Sequence, residues 1–175
     1  MLQNDPIDLL KAKILSDDIE QGSNAIDSFI RLDKKTALDY LITLLDHPNP
    51  LIFNRAAIGL HDIGDNRALE PLLTTIKKQE NINRNGTLVF ALLALDCSTR
   101  LLDIFDLLFY GDYEVKVSVA IILDEQAFEF SKADLLNIQD KWSYIQSHPE
   151  LCPNFERSKE DIEDFVNSYM LHLQK

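Results

Sequence analysis

The chain has 175 residues, of which 46% are apolar and only five are glycine, a composition typical of one folded helical domain rather than of a disordered chain. Its 29 Asp and Glu residues outnumber its 17 Lys and Arg residues, which gives a formal net charge of -12. We therefore expect a basic protein as partner and no nucleic acid, because phosphates are bound mainly by basic side chains.

The sequence also predicts where the protein works. No apolar run approaches the roughly 20 residues of a membrane-spanning helix, so we expect no membrane contact. The N-terminus carries acids and lacks the basic start of a signal peptide. Cys97 and Cys152 match no metal-binding spacing, and we expect two reduced thiols and no cofactor. These features predict a cytoplasmic protein.

Residues 1–35 predict an N-terminal cap of two helices. Asp5 followed by Pro6 predicts the first start, because Asp caps helices and Pro is tolerated at their first position. The apolar residues of this helix are Ile7, Leu10, Ile14 and Leu15. Ser23 predicts the second start. Its helix carries Ile26, Phe29 and Ile30 at i, i+3 and i+4.

Residues 36–131 contain a helix-length pattern three times. The segments 36–45, 67–76 and 99–108 superpose without gaps, with offsets of 31 and 32 residues. Each places apolar residues at i, i+3, i+4 and i+7, which is one face of a helix. These residues are Leu38, Leu41, Ile42 and Leu45; Leu69, Leu72, Leu73 and Ile76; and Leu101, Ile104, Phe105 and Leu108.

A polar break and a second helix follow each of these segments. The breaks are 46–50, 77–81 and 109–113. The aligned positions of the second helices are Ile52, Ala56, Ala57, Leu60 and Ile63; Asn83, Thr87, Leu88, Ala91 and Ala94; and Val115, Val119, Ala120, Leu123 and Gln126. The second unit fits less well, because Asn83 replaces an apolar residue. Helix pairs that recur at a fixed period bury their apolar faces by stacking, which predicts a solenoid.

Residues 132–175 predict a C-terminal cap. Ser131 and Asp134 match a capping box that opens a helix with Leu135, Ile138, Trp142 and Ile145. Two prolines make residues 146–157 an irregular connection. Ser158 repeats the capping signal before a last helix, whose apolar residues are Ile162, Phe165, Val166, Tyr169 and Leu173. No segment alternates with period two, so we predict an all-α fold of about nine or ten helices and no strands.

The first unit carries a DHPNP break at 46–50, the apolar Ile52, an AAIGL core at 56–60 and a closing IGD at 63–65. It resembles a short HEAT-like repeat of the kind found in bilin-lyase-type repeat proteins. The resemblance covers about half of the chain, with ALD (94–96) and DEQAF (124–128) in place of IGD in the later units. It implies a right-handed solenoid of HEAT-like helix pairs with atypical capping helices, in a single domain spanning residues 1–175.

The sequence offers few residues for catalysis. His61-Asp62 together with His47 resembles the metal ligands of helical phosphohydrolases, which makes a metal-dependent hydrolase one alternative. However, only 14 residues separate the two histidines, and the next one is His148. There is no glycine-rich phosphate loop, and Cys97 has no motif of a nucleophile around it. We therefore expect no enzyme and no bound metal.

The third unit predicts a protein-binding surface instead. Between Leu101 and Phe130 seven acids face one base, Lys116, and aromatic residues lie among them. Rings supply buried contact area, and acids attract a cationic partner. The residues expected to bind are Asp103, Asp106, Tyr110, Asp112, Tyr113, Glu114, Asp124, Glu125 and Glu129. A second candidate surface is the aligned column Ile58, Val89 and Ile121, which can be a binding face or internal packing.

These features lead to a hypothesis about function. Residues 86–98 resemble a segment of bacterial HEAT-repeat immunity proteins. The resemblance implies an acidic immunity or antitoxin-like protein that binds and occludes a basic toxin such as a nuclease. The alternatives are a general HEAT-repeat scaffold or lyase-like subunit and, less favoured, the hydrolase with His61 and Asp62. The sequence leaves the oligomeric state open.

Overall fold

The computed structural model describes residues 5–82 and 84–174, and these residues form ten α-helices and no strand. The predicted all-α class is therefore confirmed, whereas Asn83 lies outside the described residues. Short 3-10 segments connect or extend several helices. The α-helices are α1 Pro6–Ile14, α2 Ile19–Leu32, α3 Lys34–Thr43, α4 Pro50–Ile63, α5 Leu69–Ile76, α6 Gly86–Leu92, α7 Leu101–Tyr110, α8 Tyr113–Glu125, α9 Lys132–Ser147 and α10 Phe155–Met170.

Two of the predicted helix starts are confirmed in atomic detail. The Asp5 carboxylate accepts a hydrogen bond from the Ile7 amide at 3.0 Å, ahead of α1. At α9 both bonds of the capping box form, because Ser131 Oγ accepts from the Asp134 amide and Asp134 Oδ2 accepts from the Ser131 amide. Each bond satisfies an amide that the first turn of a helix leaves without a partner.

Three predicted boundaries are wrong. Ser23 lies inside α2, which begins at Ile19 because the Asp18 carboxylate caps it one turn earlier. Ser158 lies inside α10, and its hydroxyl donates to the carbonyl oxygen of Asn154 instead of capping the helix. The break predicted at 109–113 is shorter, because α7 continues to Tyr110 and α8 begins at Tyr113.

The helices contact one another in two ways. Within the predicted units α3 packs on α4, α5 on α6 and α7 on α8. The second helices also contact each other in series, from α2 to α4, α6 and α8. At the C-terminal end α9 packs on α7, and α10 packs on α9. Most of the predicted core positions are buried in these contacts, among them Leu38, Leu41, Ala56, Leu60 and Val119.

The column formed by Ile58, Val89 and Ile121 does not form one continuous apolar face. Val89 is fully buried, whereas Ile58 is 47% exposed and Ile121 is 38% exposed. Val89 lies on α6, which packs between α4 and α8 and also contacts α5. Internal packing therefore accounts for Val89 alone.

Side-chain bonds link successive units at the spacing of the sequence pattern. The side-chain amide of Asn66 forms two hydrogen bonds with the backbone of Asp96, 30 residues further along the chain. Its Oδ1 accepts from the Asp96 N–H at 2.8 Å, and its Nδ2 donates to the Asp96 carbonyl oxygen at 3.1 Å. The side-chain amide of Gln126 makes two similar bonds, across 29 and 31 residues. Its Oε1 accepts from the Cys97 N–H at 2.8 Å, and its Nε2 donates to the Leu95 carbonyl oxygen at 2.9 Å. Surface ion pairs follow the same spacing, namely Lys78 with Asp46 and Arg100 with Glu70.

A buried arginine fixes the N-terminal helices to α4. Arg55 is only 4% exposed. Its guanidinium donates to the carbonyl oxygens of Ile14 at 2.5 Å, Ser16 at 2.9 Å and Asp18 at 3.1 Å, which lie where α1 ends and α2 begins. Gly22 leaves room for this group, because a Cβ there would overlap the guanidinium. Three backbone carbonyls thus take the place of a carboxylate partner.

A buried lysine fixes the C-terminal helices to α8. Lys116 is 7% exposed, and its ammonium donates to the carbonyl oxygen of Pro153. The same nitrogen lies 3.4 Å from Sγ of Cys152. Both partners belong to the connection between α9 and α10.

Candidate functional site

The nine residues expected to bind a partner are divided between two parts of the surface. Asp106, Tyr110 and Asp112 line a depression of about 260 Å³ at the end of α7, together with Lys77 and Ile82. We call this surface, with Asp103 beside Lys77, the α7 face. Tyr113 and Asp124 lie instead on the exposed side of α8 and line other depressions. Glu114, Glu125 and Glu129 are exposed but line none of these depressions.

The acids of the α7 face already have partners within the chain. Lys77 Nζ lies 2.6 Å from Asp103, and Lys141 Nζ lies 2.5 Å from Asp106. Asp112 caps α8 by accepting a hydrogen bond from the Val115 amide at 3.1 Å. The charge that this face offers to a partner is therefore reduced.

Tyr110 is the exposed ring of the α7 face. It is 44% exposed and packs edge-on against Phe109, with ring centroids 6.2 Å apart. Partial burial and the charge of Asp106 raise the pKa of its hydroxyl, so the ring stays neutral and can donate a hydrogen bond. Phe109 itself is fully buried against Trp142.

A groove runs between α8 and α10. Two adjoining depressions of about 310 and 450 Å³ share Ala120, Asp161 and Phe165. We call this surface the α8–α10 groove. Its walls are Tyr113, Val117, Ala120 and Asp124 on one face of α8 and Asp161, Phe165 and Ser168 on one face of α10. Leu108 and Ile162 form its floor. Val117 is 45% exposed there, although it is apolar.

The two ends of the groove differ in charge. Asp124 and Asp164 lie at one end, Asp161 lies in the part that the two depressions share, and all three are exposed. None of them forms an ion pair with any residue in 5–82 or 84–174. At the other end the guanidinium of Arg157 lies 4.5 Å above the centre of the Tyr113 ring. This cation–π contact occupies one face of a ring that the sequence predicted to bind a partner.

Asp124 also influences the aromatic cluster that anchors the end of α10. Tyr169 packs against Phe105, Phe128 and Phe130, with ring centroids 5.2 to 6.5 Å apart. Burial, together with the charge of Asp124, raises the pKa of the Tyr169 hydroxyl to about 12. The acidic end of the groove thus borders a cluster of packed aromatic rings.

Sequence reasoning did not identify the α10 wall of the groove. The apolar pattern identifies Phe165 only as an apolar residue of the last helix, and it assigns no role to Asp161 or Ser168. One signal was available, since Asp161, Phe165 and Ser168 are spaced i, i+4 and i+7 and therefore share one face of a helix. The residue spacing does not show that this face of α10 lies against α8, because that depends on tertiary contacts.

The residues considered for catalysis are engaged locally. The His61 ring stacks on Phe90 at 4.5 Å, and its Nδ1 lies 3.3 Å from the Asp62 carboxylate. The His47 Nδ1 accepts a hydrogen bond from the Asn49 amide at 3.1 Å. In the part of the chain that the structure describes, no group of three His, Cys, Asp or Glu side chains could hold a metal ion.

Cys97 lies in an environment that suppresses its reactivity. The residue is fully buried, and burial raises the pKa of its thiol to about 12. A thiol with such a pKa is almost entirely protonated at neutral pH, whereas the thiolate is the nucleophile. The bonds from Gln126 to the backbone around Cys97 give this segment a structural role.

No helix among the described residues combines the length and the apolar character that crossing a membrane requires. The sequence matches no protein-family model and is significantly similar to no curated protein. Function must therefore be inferred from the two surfaces themselves.

Proposed function

We propose that this protein is a non-enzymatic protein-binding module, an acidic inhibitor of the immunity or antitoxin type that occludes a basic toxin such as a nuclease. One observation carries the proposal. Asp124, Asp161 and Asp164 are exposed beside apolar side chains and form no ion pair within the described residues. Unpaired surface charge next to exposed apolar area is the arrangement that steers and then holds an oppositely charged protein.

We further propose that the helices form one right-handed HEAT-like solenoid over residues 1–175, with three helix-pair repeats between two caps. The bonds from Asn66 to Asp96 and from Gln126 to Leu95 support it, because they join residues 30 and 31 positions apart. The serial contacts of α2, α4, α6 and α8 support it as well. In a stacked array each unit contacts mainly its neighbours, so bonds at one repeat spacing are expected.

The proposed mechanism is steric blockade. A nuclease binds the phosphates of its substrate through Lys and Arg, so its substrate-binding surface is basic. An acidic protein is attracted to such a surface and can associate with it rapidly at low salt. Bound there, it excludes the nucleic acid without any chemical step. The net charge of -12 is consistent with this role.

The test is capture of the partner at two salt concentrations. The purified full chain is immobilised and exposed to lysate of the source organism at about 50 mM and about 500 mM NaCl, because salt screens exposed charges. Retained proteins are identified by mass spectrometry. We expect one basic protein that is retained at low salt and lost at high salt. Its nuclease activity is then measured with and without added chain, and we expect inhibition at equimolar ratio.

A matched variant separates specific binding from net charge. Asp27 on α2 and Asp140 on α9 are exposed acids outside the α7 face and the α8–α10 groove. The variant with Asp27→Lys and Asp140→Lys should retain the partner as the unmodified chain does. If no basic protein is retained, the inhibitor proposal is wrong. A retained partner that is indifferent to salt would favour the general HEAT-repeat scaffold or lyase-like subunit instead.

A further inference from the structure

We propose that the α8–α10 groove is the docking site for a cationic amphipathic helix of the partner protein. This inference rests on the proposed function, because it specifies where and in what form the basic partner binds. It is carried by three properties of the groove, namely its apolar lining, the position of its charges and its two helical walls.

The apolar lining suits the hydrophobic face of a helix. Val117 is 45% exposed on one wall, and Phe165 is half-buried on the other. Ala120 lies between them, and its small side chain leaves the middle of the groove open. Apolar side chains of a docked helix would cover this area, and burying apolar surface is the main favourable contribution to most associations.

The charges require a basic occupant. Asp124 on α8 and Asp164 on α10 lie at the same end, and Asp161 lies in the middle, so both walls carry acids over this half of the groove. Arg157 lies at the opposite end, where Tyr113 holds it. A second acidic chain would be repelled at the acidic end, whereas Lys and Arg side chains would find carboxylates on both sides.

The same charges define the direction of the docked helix. Tyr113 meets Arg157 near the starts of α8 and α10, and Asp124 lies with Ser168 near their ends, so the two walls run in the same direction. The positive N-terminal end of a helix is stabilised by nearby carboxylates. We therefore expect the partner helix to run antiparallel to α8 and α10, with its N-terminal end at the acidic end of the groove.

The length of the groove sets the size of the contact. The wall residues of α8 run from Tyr113 to Asp124, which corresponds to roughly 16 Å or about three helical turns. A partner segment of about eleven residues would fill it. An extended peptide is a poorer occupant, because both walls are helices whose interior backbone groups are already paired, so no sheet edge is present to bond it.

The α7 face is the competing location, and its charges favour it less. Lys77 and Lys141 already neutralise Asp103 and Asp106 there. The groove also holds two cations, but Lys116 is held by the carbonyl oxygen of Pro153 and Arg157 lies on the Tyr113 ring. No acid of the groove forms an ion pair among the described residues, whereas two of the three acids of the α7 face do.

The test uses a designed probe with the full chain. The probe is a fluorescein-labelled helical peptide of about 15 residues, with Leu at i, i+3, i+4 and i+7 and with Lys and Arg on both sides of this apolar face. Its affinity is measured by fluorescence anisotropy at about 50 mM NaCl. We expect saturable binding that weakens at least about tenfold in the variant with Asp124→Lys and Asp161→Lys. Val117→Asn should weaken binding about threefold.

Two controls locate the site. The variant with Asp103→Lys and Asp106→Lys reverses the same number of charges on the α7 face and should bind the probe within about twofold of the unmodified chain. A peptide with Glu in place of Lys and Arg should not bind. Circular dichroism of each variant shows whether it is folded. Backbone amide shifts of Val117, Ala120 and Phe165 on titration give an independent map.

The outcomes separate this inference from the proposed function. If the peptide shows no saturable binding up to about 1 mM, the groove is not the docking site. If the peptide binds and only the charge-reversal variant of the α7 face loses binding, the groove is the wrong site. The proposal of an acidic protein-binding module then still holds. If the lysate yields a basic partner that the groove variant still retains, the function survives and the location is wrong. If neither peptide nor basic protein binds, both proposals fail.

Discussion

The two ends of the molecule are joined to its middle by buried cations, but the two cations hold different numbers of backbone groups. At the N-terminal end Arg55 holds three carbonyl oxygens, and α2 packs directly on α4 beside a depression of about 150 Å³. At the C-terminal end Lys116 holds one carbonyl oxygen, that of Pro153, and α10 packs on α9 with a larger groove between it and α8. Arginine offers five donors in a planar fork and lysine a single ammonium, which matches the larger number of carbonyl oxygens held by Arg55.

Both ends leave apolar surface beside acids, but to different extents. The depression beside Arg55 is about 150 Å³, whereas the two depressions of the α8–α10 groove are about 310 and 450 Å³. In the groove Asp124, Asp161 and Asp164 have no ion-pair partner among the described residues. Exposed apolar area flanked by charge marks interaction sites on otherwise soluble surfaces. We expect the two anchors to contribute unequally to the stability of the molecule.

The largest effect is expected from Arg55→Met. It removes the donors of three carbonyl oxygens in a buried site, and each buried polar group without a partner destabilises the fold by about 1–3 kcal/mol. We expect the free energy of unfolding, measured in urea, to fall by about 3–5 kcal/mol. Arg67→Met is the control, because Arg67 is half exposed and pairs with Asp65 and Asp39 at the surface. A much smaller loss is expected there, because exposed ion pairs contribute little to stability, and equal losses in both variants would contradict the role of Arg55.

Lys116→Met should have a smaller and more local effect. It leaves one carbonyl oxygen, that of Pro153, without its donor, for which we expect a loss of about 2 kcal/mol. Amide hydrogen exchange should accelerate in α10 and in the connection before it, and remain slow in α2 and α4. Arg55→Met should give the opposite pattern. Uniform acceleration along the chain in both variants would show that the two ends do not open independently.

Gly22→Ala tests the room that the arginine anchor requires. A Cβ at this position overlaps the Arg55 guanidinium, so the substitution should destabilise the unmodified chain by about 1 kcal/mol or more. With Arg55→Met the guanidinium is absent, and Ala should then stabilise α2 by about 1 kcal/mol because it is the better helix former. Urea unfolding of the four chains measures this change of sign. The same sign in both backgrounds would mean that the guanidinium is not what limits the space.

The sequence predicted the parts of the fold that depend on local patterns. The apolar residues at i, i+3, i+4 and i+7 placed Leu38 and Leu41 in the core, and Asp5 and Ser131 marked real helix starts. Where two nearby residues are both suitable N-caps, the sequence pattern does not determine at which of them the helix begins. Asp18 and Ser23 both suit an N-cap, and the choice of Asp18 lengthens α2 by one turn.

The candidate site was predictable only in part. Asp124 and Tyr113 were identified from the density of acids and rings in the third unit, but their neighbours across the groove were not. The approach of α10 to α8 depends on the contact of Arg157 with Tyr113 and of Lys116 with the chain before α10. Such contacts join residues about 40 positions apart, and no periodic pattern encodes them.

The smallest expected effect is a loss of stability in acid. The carboxylates of Asp33, Asp65, Asp96 and Asp134 accept hydrogen bonds near helix starts or turns, which holds their pKa values below the usual 3.8. For Asp65 the bonds from Arg67 lower the pKa to about 2. A pKa that is lower in the folded state stabilises the fold above the unfolded value, and this contribution disappears as the pH falls through the folded one.

The urea midpoint should therefore fall between about pH 5 and about pH 2. Asp65→Asn should show a smaller fall, because its amide has no proton to gain over this range while its oxygen can still accept from the Arg67 amide. Asp140→Asn is the control, since the Asp140 carboxylate makes no hydrogen bond or ion pair among the described residues. In this variant the urea midpoint should decrease with pH as much as in the unmodified chain. Asp33, Asp65 and Asp96 follow α2, α4 and α6, and only Asp134 belongs to the C-terminal helices, so the loss in acid should open the helices before α7 ahead of α10. If the α10 amides exchange first in acid, the single anchor at Lys116 and not the capping carboxylates limits the stability of the molecule.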